Sequence, residues 1–384
     1  MRSYNATLRG GSPYPPRHGP RTLFSARWVR RPTAQMVKRR CRARWIPLVL
    51  VAAIALAGCQ PQAVREGVAA AGEPLDPYPV LLEAIHSSQP PLQALAAETF
   101  LEADRQPPRA ELILLAETPD PRVRTTGLAL VGTTRRQEFL RVAQQQYRDP
   151  QAVVRVSAAF AMAMLGDTSR IGDLRDGLAS PDVTVRRTAV WLLGLMGNRS
   201  AVGMLRVKLT DPDAVVVLRT AEALHRLGSP DGVEMVRAMT EHSQHSVRAF
   251  ATRLLGRVGE KADITRLERL YQSRFLDVKF AAIGALAQLG DFKRIGMLVD
   301  FLGSEEQSAG ILAARELAET GYRPALEKLE GRLKKAADPM ERATVAAAMV
   351  RIQSEGEAWR SRILADEKPP ALDADAPAKV PAAP

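Results

Sequence analysis

Asp149-Pro150-Gln151-Ala152-Val153-Val154-Arg155-Val156-Ser157-Ala158-Ala159-Phe160-Ala161-Met162-Ala163-Met164-Leu165-Gly166 decides how this chain folds. Counted from Val154, small or apolar residues fall 4, 7, 8 and 11 positions on, at Ala158, Ala161, Met162 and Leu165. At about 100° per residue these positions share one face of a helix. Asp149-Pro150 offers a capping oxygen followed by proline in the first turn. Gly166 offers the left-handed conformation that ends a helix.

The pattern recurs at a fixed step. Gly166, Gly197, Gly228, Gly259, Gly290 and Gly321 stand in one column. Val154, Val185, Val216, Val247 and Val278 form a second, and Met162, Leu193, Leu224, Leu255, Leu286 and Leu317 a third. Asp211-Pro212 and Ser180-Pro181 repeat the start signal. Each unit reads as a helix of about 12 residues, a turn, and a second helix of about 15. One such pair cannot bury its apolar stripe alone, whereas stacked pairs share a continuous core. A chain of 384 residues would ordinarily suggest two or three domains. The periodicity points instead to one solenoid of about nine pairs over residues 78–352. The divisions read 78–104, 105–132, 133–166, 167–197, 198–228, 229–259, 260–290, 291–321 and 322–352, the first two irregular and the third longer than the repeat. Gly356 breaks the pattern, residues 357–367 read as a capping helix carrying Trp359, and the Pro- and Ala-rich residues 368–384 read as a disordered tail.

The signature Asp149…Val154-Arg155, Ala158-Ala159 and Leu165-Gly166, with variants at 120–124 and 180–186, resembles HEAT repeats. The likeness is to the short bacterial form related to phycobilisome-lyase repeats. It implies an all-α fold, a right-handed α-solenoid of about nine HEAT-like helix pairs with second helices lining the concave face. It also implies a ladder of Asp–Arg hydrogen bonds between units. Arg186, Arg248 and Lys279 fit that ladder, while Val217, His242, Ser273 and Gly310 depart from it. The function implied is a protein-interaction scaffold without catalysis; the alternative is a lyase-like or chaperone-like relative of the bilin-lyase HEAT proteins.

The N-terminus reads as an address. From Met36, the basic residues Lys38, Arg39, Arg40, Arg42 and Arg44 precede an apolar run from Trp45 to Ala57, broken only by Pro47. That run is shorter than the roughly 20 residues of a spanning helix. Leu56-Ala57-Gly58-Cys59 then supplies small residues before a cut and a thiol at the new N-terminus. The order resembles the lipobox of bacterial lipoproteins, with Cys59 as the lipidated residue; an ordinary signal peptide or an uncleaved anchor is the other reading. Residues 1–35 read as disordered or as an upstream extension before Met36, 36–58 as the signal peptide, 59–77 as a lipidated tether, and 78–367 as solenoid with its cap. The expected location is the cell envelope, on the periplasmic side of the outer membrane if the host has two membranes, since Gln60 and not Asp follows the cysteine.

Charge supports export over nucleic-acid binding. The chain's net charge is +12, but residues 1–58 hold 12 basic and no acidic residues, leaving 42 of each sign in the remainder. A neutral mature chain lacks the basic excess that phosphate binding needs, so no nucleic-acid partner is expected. The two cysteines, Cys41 and Cys59, leave with the signal or carry lipid, so a disulfide scaffold, a thiolate metal site and a cysteine nucleophile are not expected.

No cofactor or catalytic set is expected either. His242-x-x-His245 beside Glu241 has metal-like spacing, but it falls at a repeat turn and names no further ligand. The stronger signal is apolar residues facing away from Ala158 on the second helices. Phe160, Trp191, Glu222, Arg253, Gly284 and Arg315 form one column, and Val156 starts another beside it. Val156, Phe160 and Trp191, with Arg253 and Arg315 farther along, are the candidate partner-binding strip. The other reading is packing against the neighbouring pair.

Overall fold

The computed structural model describes residues 75–364, with side chains described over 75–354. The leader, Cys59, the tether up to residue 74 and the tail from 365 lie outside the described residues. The chain divides into Met1–Ala69 and Ala70–Pro384, and every described residue belongs to the second unit.

Nine helix pairs follow one another. In each the first helix is short: α1 (Tyr78–Ile85), α3 (Arg109–Glu117), α5 (Leu140–Gln146), α7 (Gly172–Gly177), α9 (Val202–Arg206), α11 (Val233–Met239), α13 (Ile264–Tyr271), α15 (Ile295–Phe301) and α17 (Leu326–Lys335). The second helices are α2 (Pro90–Glu102), α4 (Pro121–Thr133), α6 (Ala152–Met164), α8 (Val183–Met196), α10 (Ala214–Arg226), α12 (His245–Val258), α14 (Leu276–Gln288), α16 (Gln307–Thr320) and α18 (Pro339–Leu364). First helices are shorter than the repeat pattern suggests because 3-10 turns such as Arg199–Ala201 and Val207–Thr210 take up their ends. No strand occurs among the described residues.

The repeat is more regular than its glycines. Gly166, Gly197, Gly228, Gly290 and Gly321 all have positive φ, as a left-handed cap requires. Arg135 (φ 54°) and Asp104 (φ 50°) hold the same conformation one and two steps upstream. The register therefore runs unbroken from 104, and the third pair is 136–166, of standard length. Gly259 departs, with φ −81° and ψ 179°; there a capping box between Glu260 and Asp263 starts the next turn. Three start signals also shift. Asp149, Ser180 and Asp211 lie upstream of the helices and each accepts a bond from the amide two residues on, at Gln151, Asp182 and Asp213. The capping side chains of α8 and α10 are Asp182 and Asp213. At the far end Gly356 does not interrupt α18, which continues to Leu364, so no separate capping helix forms at its described residues.

Each first helix packs on its own second helix, and each second helix packs on the next. The interface columns are aliphatic and buried, among them Val154, Leu193, Leu224, Leu255, Leu286 and Leu317. Each such side chain contributes about 1.5–3 kcal/mol. Polar rungs join the pairs at the turns. Arg124 meets Asp149 at 2.9 Å, and Arg186 grips Asp211 with two bonds of 2.9 and 3.1 Å. Where the ladder arginine is missing at Gly310, Arg332 of α17 fills the space: its guanidinium donates to the carbonyls of Leu302 and Ser304 and pairs with Glu341 at 2.7 Å. A Cβ at residue 310 would overlap that guanidinium, so glycine is what lets the substitute rung in.

The stack does not stay open. α18 packs on α1 and α2, so the nine second helices close into a ring with the first helices outside.

Candidate functional site

Closure turns the concave face into a lumen. A cavity of about 1110 Å³ is lined by residues of eight of the nine inner helices, all but α6. Six arginines and four glutamates line it, together with Trp191, Leu101 and Leu195. No catalytic triad or phosphate loop is recognisable in this set.

One chain of ion pairs runs through the lumen. Glu222 of α10 receives Arg219 at 3.0 Å, Arg226 at 3.2 Å and Arg257 of α12 at 2.9 Å. Arg257 also grips Glu319 of α16. Glu319 accepts from Arg351 of α18 at 2.9 Å, and Arg351 reaches Glu102 of α2 at 2.9 Å. The chain thus ties the fifth and sixth pairs to the eighth, the ninth and the first. It meets the requirement that buried charges be paired. Burial would raise the Glu319 carboxyl, but Arg351 and Arg257 outweigh it and hold it at about 2. Glu222 is likewise held below the usual carboxylate range, its burial offset by Arg219, Arg226 and Arg257. Glu98 goes the other way, raised by desolvation within the lumen and by Glu102 nearby.

The sequence-derived strip is only partly realised. Phe160 is fully buried, not exposed, because α4 comes close at Gly132, where a Cβ would lie 2.9 Å from the phenyl ring. Val156 is 8% exposed and packs beside Gly177 of the next first helix. Both are therefore corrected from surface to core. Trp191 remains half-buried and lines the lumen. Arg253 is taken up by Glu316, with bonds of 2.7, 3.0 and 3.1 Å from α12 to α16. Those two side chains meet at α14 beside Gly284, where a Cβ would lie 3.4 Å from the Glu316 carboxylate. Arg315 is exposed, its basicity lowered by desolvation and by the like charge of Arg253. The sequence missed the charged chain because its members come from five different pairs. Its local trace was Glu222 in the inward column, flanked on its own helix by Arg219 and Arg226.

The histidine pair is dispersed among other bonds. His242 Nδ1 accepts from the Gln244 amide at 3.1 Å, while His245 Nδ1 lies 2.7 Å from Asp277 and its ring stacks on Phe275. Among the described residues no group of three His, Cys, Asp or Glu is placed to hold a metal. Cys59 lies outside the described residues.

Comparison with known proteins agrees with the pairs. A family model described as HEAT repeats matches residues 171–246 and 204–287. No curated protein matches the chain. Among solved structures, the CpcE–CpcF complex of phycocyanin lyase from Nostoc sp. PCC7120 is similar at 18% identity and TM-score 0.37, over 66% of this chain and 95% of that one. YibA of E. coli is similar at 16% identity and TM-score 0.35, over 67% of this chain and 95% of that one. With helix pairs recurring at a fixed step and the family model matching residues 171–287 in the middle of the stack, the chain carries HEAT repeats.

Proposed function

We propose that this protein is a bacterial envelope lipoprotein, anchored through Cys59, whose helical ring is a non-catalytic scaffold for a protein partner. The observation that carries the reading is the basic segment, short apolar run and Leu56-Ala57-Gly58-Cys59 placed just ahead of a first helix at Tyr78. No helix among the described residues is long and apolar enough to cross a membrane. A lipid on Cys59 would supply the attachment. The expected place is the periplasmic side of the outer membrane where the host has one. With the lumen closed, a folded partner meets the outer layer. There Ile171, Met204 and Val207 are 42%, 36% and 68% exposed on the first-helix layer of consecutive pairs, among charged neighbours such as Arg175 and Arg206. Apolar side chains with a polar rim are the composition of a binding patch.

The test compares wild type with Cys59→Ser by membrane fractionation and metabolic labelling with a radioactive fatty acid. Wild type should be labelled and sediment with membranes, and the variant should lose both properties. A Cys59→Ser chain that is still labelled and still sediments would overturn the anchor.

A further inference from the structure

We infer that the lumen is a binding site for an amphipathic organic anion, a carboxylate, phosphate or sulfonate group on an apolar body. The inference goes beyond the scaffold reading and does not depend on the lipid anchor. Three observations carry it. The volume, about 1110 Å³, is that of a cavity that takes a ligand of metabolite or lipid size. Charge is unbalanced inside it, six arginines against four glutamates, although residues 59–384 carry equal numbers of each sign. The imbalance is concentrated at α10, where one carboxylate, Glu222, serves three guanidiniums. Arg219, which also lies over the Phe250 ring, and Arg226 each make a single hydrogen bond to it. They remain 40% and 36% exposed, and both line the cavity. Third, the repeat register places an apolar wall beside these donors. Trp191 on α8 stands level with Glu222 on α10, and Leu195 level with Arg226; both line the cavity.

The geometry assigns separate tasks. The Arg219 and Arg226 guanidiniums would bind the anionic group with charge-assisted hydrogen bonds. Trp191 and Leu195 would cover the apolar body and exclude water from it. An ion such as inorganic phosphate would satisfy the first and leave the second bare. A neutral amphiphile would do the reverse.

The experiment uses the purified full chain and the fluorescent sulfonate 8-anilinonaphthalene-1-sulfonate as probe. Dodecyl phosphate, dodecanoate, dodecanol and inorganic phosphate serve as competitors. Saturable binding of one probe per chain is expected, with displacement by dodecyl phosphate and dodecanoate and none by dodecanol or inorganic phosphate at the same concentration. Arg219→Gln/Arg226→Gln should bind at least about tenfold more weakly. Leu195→Glu, which adds a negative charge to the apolar wall and leaves the ion-pair chain intact, should do the same. Circular dichroism of each variant separates loss of binding from loss of fold, and the second variant keeps the test open if the first unfolds. Equal binding by wild type and a folded variant would overturn the proposal. So would displacement by dodecanol as strong as by dodecyl phosphate, or by inorganic phosphate alone.

Discussion

Arg135 and Asp104 hold a conformation that the later repeats give to glycine. A side chain in the left-handed region costs on the order of 1 kcal/mol, more for arginine than for aspartate. Arg135→Gly should therefore raise stability by several tenths to about 1 kcal/mol, read as a higher urea midpoint at unchanged slope. A fall in the midpoint would mean the Arg135 side chain contributes more than its backbone strain costs. Gly310 is the opposite case. Any Cβ there meets the Arg332 guanidinium, which has its partners in Leu302, Ser304 and Glu341. Gly310→Ala should lower stability by about 1–3 kcal/mol in the same assay, because a largely buried charge loses its partners.

At the scale of helices, the inner layer depends on what its glycines leave out. Gly284 leaves space on α14 beside the Arg253–Glu316 pair, which joins α12 to α16. Gly284→Leu should break that pair and cost about 3–5 kcal/mol of unfolding free energy. The penalty should shrink in an Arg253→Met/Glu316→Leu background, and an equal penalty in both would show that the pair is not what the leucine displaces. These helices were largely legible in the sequence, since Val154, Leu193 and their columns state the period and the buried face directly. Burial of Phe160 was not, because it depends on Gly132 in the preceding pair, and an inward column alone does not show how closely two helices approach. The register of the first pairs was hidden for a different reason: Asp104 and Arg135 keep the cap's conformation without its usual residue. The charged lumen was legible only around Glu222 on α10, since ion pairs between helices leave no local spacing.

For the whole ring, closure has an acid-sensitive side. The Glu319 carboxyl sits at about 2 in the fold against an ordinary 4.5. Its contribution to stability is fully present above about 4.5 and is lost as the pH falls from there towards 2. At about 1.4 kcal/mol per unit this is on the order of 3 kcal/mol. Glu222 shifts in the same direction, while Glu98, raised by desolvation, shifts oppositely. Stability measured by urea titration should fall between pH 4.5 and 2, and Glu319→Gln should flatten that fall. A variant that is as acid-sensitive as wild type would remove Glu319 from the cause. Everything assigned to the lumen rests on α18 meeting α2, the last inner helix and the first, at Arg351 and Glu102. The most direct measurement is carbodiimide cross-linking of an Arg351→Lys chain, followed by mass spectrometry of the monomer band. A closed ring predicts a peptide pair joined between Glu102 and the lysine at 351, absent from wild type; an open solenoid would give no such pair, or would give it only in cross-linked dimers.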